Sequence, residues 1–469
     1  MYSVITNKRL QLLIIILAAA AFFLDGLSTA IVNNILPVIT ETFSISIVES
    51  SLITQAYFLT FVAFILPFGK IADNGRIREV LIIGLCLFAF GLIICTIAPA
   101  FPALVAARFI QGLGAAMIAG ACPVIVARLL PASKHGVGIG FAAAMAGISI
   151  AVGPIVGGFI ASLASWQLAF LVSVPFAIAG AVLAFRILPK PGGERSKKKF
   201  DVFGTIFVFL IVASFVLIQN NFPRLGITDP FVLICTAVFA VSLILYIVHS
   251  LRCENPLLDV RIFTKKGFAA VSFSYMFLCA IYAGVLYIIP YYMQTGLNLD
   301  AGMSGLMLTI PAVIAAVIAT PVGWWADKSG NRLPCILASS CYCIFCALFA
   351  FIKPEWGIPA LVSGMVFVGL SFGLMGGPAT ARIIQCAPED EKAEGASVMM
   401  FFNYLGCIVG VTAYTAAFAL VEPASIGTAL IDLPLDGFMA GFGATAVTGL
   451  IFGLLSLIMT LAVSSKVAK

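Results

Sequence analysis

The chain has 469 residues, of which 62% are hydrophobic and 10% charged. That leaves too little polar surface to wrap soluble domains. The net charge of +6 sits in short loops between apolar runs, where basic residues set membrane topology rather than contact nucleic acid. No short alternating strands recur, as a transmembrane barrel would require, whereas apolar stretches of ~20 residues recur throughout and fit helices crossing a hydrocarbon core of about 30 Å.

Fourteen apolar segments are predicted, at 11–36, 50–69, 79–98, 102–130, 137–162, 168–188, 203–219, 230–249, 268–294, 302–325, 333–352, 356–385, 393–421 and 438–463. The first lacks an A-x-A cleavage site and is expected to be a retained span rather than a signal peptide. An even number of spans puts both termini on one side. Lys8, Arg9, Lys70, Arg76, Arg78, Lys134, Lys190, Arg195, Lys197, Lys198, Lys199, Arg252, Arg261, Lys265, Lys266, Lys328, Arg332, Lys392 and Lys466 then share that side. Only Arg224 and Lys353 fall opposite, with Glu41, Glu49, Asp229, Asp300, Glu355, Glu422, Asp432 and Asp436. By the positive-inside rule both termini are expected in the cytoplasm, in a multi-pass protein of the cell membrane. The basic stretch 190–199 reads as a topogenic loop joining two halves, or as a contact for anionic lipid headgroups.

The 12 cysteines lie mostly inside apolar segments. Cys341, Cys343 and Cys346 cluster without a nearby histidine or carboxylate, so they read as small hydrophobes rather than metal ligands. His135 and His249 are placed in loops, and no nucleophile or metal constellation is visible. Neither an enzyme, a cofactor nor a metal is expected.

An internal repeat is visible. The second segment ends in Gly69-Lys70-Ile71-Ala72-Asp73, followed by Arg76 and Arg78. The tenth ends in Gly323-Trp324-Trp325-Ala326-Asp327, followed by Lys328 and Arg332. Repeats beginning at the first and ninth segments make the architecture six helices, two inserted helices and six helices. Transporters are commonly built so, with the substrate site near the midplane between repeats.

Further motifs follow the same order. The first segment reads Leu27-Ser28-Thr29-Ala30-Ile31-Val32-Asn33-Asn34-Ile35-Leu36-Pro37, and the fourth contains Arg108-Phe109-Ile110-Gln111-Gly112-Leu113-Gly114-Ala115-Ala116. The fifth contains Gly153-Pro154-Ile155-Val156-Gly157-Gly158, and Trp166-Gln167-Leu168-Ala169-Phe170 runs toward Pro175. Over essentially its whole length the chain resembles the major facilitator superfamily, most closely its fourteen-helix drug:proton antiporter branch. The resemblance also helps to place the seventh and eighth segments. It implies an all-α membrane protein of the major facilitator fold, with residues 1–189 and 250–469 as six-helix bundles. Residues 190–202 would be a cytoplasmic linker and 203–249 the inserted pair. Departures are Ser28 where the branch has an aspartate, Gln167 where arginine is usual, Ser149 where glycine is usual, and a displaced loop glycine after Asp73.

Asp25 is the one carboxylate placed well inside a span. Such an acid costs about 2.5–3.5 kcal/mol on insertion scales and is a functional candidate by default; the alternative is a structural hydrogen bond to a neighbouring helix. Ser28, Thr29 and Val32 share its helix face. Arg108 is the matching cation, and both are expected in the outer half of the membrane. The resemblance implicates Arg108 in proton coupling, while snorkelling to headgroups would be the structural alternative. Pro154 bends its helix, and Gly153 and Gly157 admit another backbone. Asp73 and Asp327, with Arg76, Arg78 and Arg332, are read as a gating latch or a plain topogenic turn.

Candidate substrate contacts are Ser28, Tyr57, Gln111, Tyr275, Tyr282, Tyr291, Gln294 and Asn403. Tyr57, Phe61 and Phe64 form one stripe, and Asn403 and Tyr404 interrupt the thirteenth segment. Aromatic cavities with few polar groups suit amphipathic or cationic solutes. The expected activity is proton-coupled export of hydrophobic or cationic small molecules by a monomer in a lipid bilayer, with protons as the coupling ion. Alternatives are a facilitator or metabolite exchanger on the same fold, and a non-transporting membrane receptor or sensor.

Overall fold

The computed structural model describes residues 5–189, 200–265, 267–386 and 392–463. Most of the linker expected at 190–202, together with Lys266 and Lys466, lies outside the described residues. Among the described residues there is no strand, and thirteen continuous helical stretches are long and apolar enough to cross a membrane. One of them, Ile47–Ile97, runs 51 residues, more than twice what a ~30 Å core needs at 1.5 Å per residue. It folds back at Asn74 and Gly75, where the helical dihedrals break and Gly75 takes φ 94°. That conformation is costly for any residue with a Cβ. The loop glycine that departs from the family spacing is therefore the residue that makes the turn.

Counting the two arms separately gives fourteen helices. They are α1 (Lys8–Thr42), α2 (Ile47–Ile71), α3 (Ile77–Ile97), α4 (Phe101–Leu129), α5 (Ala132–Leu163), α6 (Trp166–Ile187) and α7 (Val202–Leu225). The remainder are α8 (Pro230–Arg252), α9 (Phe268–Tyr291), α10 (Ala301–Ser329), α11 (Arg332–Phe349), α12 (Gly357–Cys386), α13 (Lys392–Val421) and α14 (Leu435–Ala462). Several starts are fixed by side-chain caps. Ser46 and Glu49 form a reciprocal capping box on α2. Asp229 caps α8 and Asp300 caps α10, the latter accepting from Met303 N at 2.7 Å. Such caps are each worth about 1 kcal/mol. They account for part of the acidity at this end of the molecule, since α2, α8 and α10 all begin there. We refer to it as the acidic end, and to the opposite end, carrying Asp73 and Arg76, as the basic end.

The packing repeats with an offset of eight helices. In the first half α1 lies on α5, α2 and α3 on α4, and α3 on α6. In the second, α9 lies on α13, α10 and α11 on α12, and α11 on α14. The halves meet along two seams that obey the same offset, α5 with α10 and α13 with α2. The inserted helices pack on each other, and α7 covers the α2/α13 seam, where Asn220 Nδ2 donates to Gln55 Oε1 at 2.5 Å.

The α5/α10 seam is closed at the acidic end and open at the basic end. Asn34 Nδ2 donates to the Pro154 carbonyl at 2.9 Å and the Ala301 carbonyl at 3.0 Å. Nearby, Gln294 donates to the Asn34 carbonyl, Tyr291 bonds both Thr40 and Ser50, and Tyr287 donates to the Ile47 carbonyl. The seam continues as far as Thr309, whose hydroxyl donates to the Ala151 carbonyl at 3.1 Å. Beyond that point both helices lose neighbours: Val137 is 55% exposed and Ile139 59% on α5, Val317 68% and Trp324 74% on α10.

Two placements differ from the sequence reading. His249 lies in the last turn of α8 and His135 near the start of α5, not in loops. His249 Nε2 is 2.7 Å from Asp201 Oδ1, and with Cys253 these form a group of metal-ligand type. The carboxylate is already engaged by the Gly204 and Leu257 amides, so the group acts as a clasp between the start of α7, the end of α8 and the following segment. The spacing of 48 residues between Asp201 and His249 hid it from a local search.

Close backbone contact makes a specific prediction. A Cβ on Gly410 of α13 would overlap the Ala280 carbonyl of α9, and no rotamer change can relieve a clash with backbone. Gly410→Ala should destabilise the purified protein by about 1–3 kcal/mol, read as a lowered melting temperature in detergent. Gly140→Ala, where a Cβ meets nothing within 4 Å, should not lower it.

Candidate functional site

Asp25 stands 17 residues from either end of α1, about 26 Å each way at 1.5 Å per residue. The helix begins before the predicted start at 11 and runs past the predicted stop at 36 to Thr42, so Asp25 lies at its midpoint. Its side chain is partly exposed and accepts two phenolic hydrogen bonds. One comes from Tyr57 of α2 and the other, at 2.8 Å, from Tyr404 of α13. The carboxylate is thus held by both halves of the molecule.

Arg108 enters from α4, seven residues after Phe101, and is 1% exposed. It does not snorkel to an interface. Its Nη1 donates to Gln111 Oε1 at 2.5 Å and its Nε to the Ile53 carbonyl at 3.2 Å. Its guanidinium carbon sits 4.3 Å from the centroid of the Tyr57 ring. Gln111 Nε2 in turn donates to Ser28 Oγ at 2.6 Å. Ser28, Gln111, Arg108, Tyr57 and Asp25, chosen separately along the sequence, therefore form one connected chain. Tyr57 is its pivot, with the cation on its ring face and the anion at its hydroxyl. A buried charge is tolerable where it is paired or hydrogen-bonded, and Arg108 gains acceptors and a π face rather than a direct carboxylate partner.

The glycines explain how this chain closes. A Cβ on Gly112 would overlap the Thr60 hydroxyl and the Tyr57 carbonyl, so α4 can bring Gln111 and Arg108 up to α2 only without a side chain there. Gly153 and Gly157 of α5 pack on Ala30 and Ile31 of α1, and Gly158 abuts the Ala301 carbonyl of α10. The motif around Pro154 thus seats α5 against α1 and against the opposite half.

The remaining candidates divide. Asn403 donates to Tyr275 Oη at 2.7 Å, next in sequence to Tyr404. Tyr282 stacks on Phe372 with centroids 4.2 Å apart and planes 9° apart. Tyr291 and Gln294 are not in this group. They lie in the acidic-end seal, because the tenth-helix entry draws the end of α9 against Thr40, Ser50 and Asn34. Tyr404, which the sequence reading noted in the thirteenth segment but did not name as a candidate contact, joins this group. Its ring stacks on Phe61 at 3.7 Å while its hydroxyl reaches Asp25. The only signal was its place beside Asn403 in an otherwise apolar helix.

At the basic end the two repeated loops differ. Asp73 pairs with Arg128 Nε at 2.8 Å, both groups about half exposed. Arg78 donates to the Phe185 carbonyl at 2.8 Å and lies over the Phe185 ring, while Arg76 points outward and is exposed. Gly69 sits against Gly120 of α4, and Lys70 donates to the Pro256 carbonyl. In the second loop Gly323 has open space where a Cβ would go, and Asp327 is exposed. Arg332 donates to the Leu461 carbonyl at 2.6 Å. Arg382, which occupies the end of α12 as Arg128 occupies the end of α4, bonds the Thr460 and Val463 carbonyls instead of Asp327.

These features can be set beside known proteins. The sequence profile described as Major Facilitator Superfamily matches residues 18–411. A riboflavin transporter, RibZ, of Clostridioides difficile is 25% identical over 415 residues, covering 87% of this chain and 88% of that protein. The multidrug resistance protein Stp of Mycobacterium tuberculosis is 26% identical over 405 residues, covering 86% and 75%. In fold, the crystal structure of a bacterial homologue of the human lysosomal transporter Spinster, inward-facing and unoccupied, superposes with a TM-score of 0.70. That match has 14% identity and covers 98% of both chains. The chain is a multi-pass membrane transporter rather than an enzyme, and it belongs to the Major Facilitator Superfamily.

Proposed function

We propose that the protein is a proton-coupled exporter of hydrophobic or cationic small molecules, working by alternating access as a monomer in the cell membrane with both termini in the cytoplasm. The observation that carries this reading is the carboxylate at the midpoint of α1, held by tyrosines from both halves beside a buried arginine. A carboxylate there can bind a proton or a cationic group, and the two uses exclude each other. That competition is the elementary requirement of antiport. The aromatic surroundings of Tyr57, Phe61, Tyr404, Tyr282 and Phe372 suit a flat or amphipathic solute.

In this reading residues 1–189 and 250–469 are the two rocking halves, 190–202 the linker and 203–249 the inserted pair. The seal at the acidic end and the parting of α5 from α10 at the basic end describe a carrier open to the cytoplasm. Asp73 with Arg128, and Asp327 with Arg332, would help latch the basic end when the carrier turns outward. The name of the Stp relative favours drug-like substrates. The second reading, exchange or facilitated movement of one metabolite, draws on the riboflavin transporter relative and on Ser28 in place of an acid.

Three measurements test the reading. In inside-out vesicles with an acid interior, wild-type protein should accumulate lipophilic cations in preference to sugars and amino acids. Asp25→Asn should reduce that accumulation to the level without a gradient while leaving binding measurable. Gradient-driven accumulation at wild-type rate in Asp25→Asn would defeat the assignment of the carboxylate.

Arg108→Lys keeps the charge but loses the planar fork that serves Gln111 and Ile53 together. It should abolish substrate-induced proton movement and keep part of the equilibrium exchange. Full proton movement in this variant would reduce Arg108 to a packing role.

The pair of Asp73 and Arg128 is half exposed, so its direct worth is about 0.2–1 kcal/mol, enough to bias a near-balanced equilibrium. Asp73→Asn should increase labelling of cysteines introduced along the basic-end cleft. Unchanged labelling and turnover would leave the loop as a topogenic turn.

A further inference from the structure

We infer that Tyr404 is a positioning residue that ties the charge state of Asp25 to the relative position of the two halves, acting as a brake on the unloaded carrier. The inference rests on the reading of Asp25 given above.

The geometry is specific. Tyr404 belongs to α13, yet its ring and hydroxyl reach the other half: its ring stacks on Phe61 of α2 and tilts against Phe58, and its hydroxyl donates to Asp25 of α1. The partners Asp25 and Tyr404 are 379 residues apart. The titratable and charged groups around Asp25 are Tyr57 from α2, Arg108 from α4, and Tyr404 and Cys407 from α13. The neighbouring turn of α5 contributes the hydroxyl of Ser149, whose own bond goes to the Ala146 carbonyl. Of the two groups that hydrogen-bond the carboxylate, Tyr57 moves with Asp25 and Tyr404 does not.

A hydrogen bond to an ionised carboxylate is roughly twice as strong as one between neutral groups. With Asp25 charged and empty, Tyr404 holds α13 onto α1 and α2 at the middle of α1. A proton on Asp25, or a cationic solute competing for it, weakens that hold and frees the halves to rock. An exchanger needs this property, because an empty carrier that turns over dissipates the gradient.

The test needs no substrate, since the proton is the ligand. Spin labels are attached through azide-bearing residues at Val137 of α5 and Trp324 of α10, exposed positions on the basic-end side of the Thr309–Ala151 contact, leaving the 12 native cysteines untouched. The distance between labels is recorded in alkaline and in mildly acidic buffer. Wild-type protein should populate the open basic end in alkali and gain a closed population in acid. Tyr404→Phe keeps the ring and its stack, and should show the closed population already in alkali, with more than half of the pH response lost. Phe61→Leu removes the stack but keeps the hydroxyl bond, and should respond as wild type. Asp25→Asn should show the closed population at both pH values. A wild-type response in Tyr404→Phe overturns the brake while leaving Asp25 in its role, and so does a lost response in Phe61→Leu equal to that in Tyr404→Phe. A wild-type response in Asp25→Asn overturns the reading of Asp25 itself.

Discussion

A carboxylate and a guanidinium have to be accommodated inside a bundle that has almost nothing else to solvate them. Bare, each would cost several kcal/mol in that environment. The solution joins three helices. Tyr57 offers its hydroxyl to Asp25 and its ring to Arg108, Gln111 and the Ile53 carbonyl take the guanidinium donors, and Ser28 receives the other end of Gln111. The links between α2 and α4 require those helices to approach more closely than ordinary side chains permit. Gly112 against Tyr57 and Thr60 is where that approach is made. The polar chain and the glycine pattern are therefore one design: the glycines have value because the charges must be reached, and the charges are bearable because the glycines let partners reach them.

The same logic, applied twice by the internal repeat, gives the molecule its mechanical character. The seams α5/α10 and α2/α13 are equivalent by the offset of eight helices, yet they are used differently. One is a row of backbone contacts, Gly158 on Ala301 and Gly305 on Pro154, that stops near Ala151. The other carries the side-chain bridge from Tyr404 to Asp25 and is covered by α7. In the proposed reading, a seam packed at one end only would serve as a hinge. A seam with a charge-dependent bond at its middle is a place where ligand binding changes the balance between two arrangements. A ligand shifts such a balance only through its differential affinity for the two states, and in the proposed reading a carboxylate shared across the halves would supply that difference.

Much of this was legible in the sequence, for reasons that differ by feature. The spans were plain because each apolar run is long enough to cross by itself. The parity of the count followed from charges that serve twice, as topology signals and as helix-end partners: Glu49, Asp229 and Asp300 at helix starts, Lys70, Arg252 and Lys328 at helix ends. Asp25 and Arg108 stood out because charge at membrane depth is expensive. What sequence could not give was distance across the chain. Tyr404 looked like one more aromatic residue until α13 was placed beside α1, and Tyr291 and Gln294 looked like cavity residues until α9 was seen to end in the seal. The clasp of Asp201 with His249 was missed for the same reason.

The central claim is that proton and substrate compete for one carboxylate. The most direct measurement adds tetraphenylphosphonium, a lipophilic cation, to purified wild-type protein in weakly buffered detergent and follows the pH with a dye. The account predicts that binding releases protons in wild type and that Asp25→Asn binds without release. Saturable binding to the wild type with no proton released, across the pH range in which the protein is stable, would contradict it.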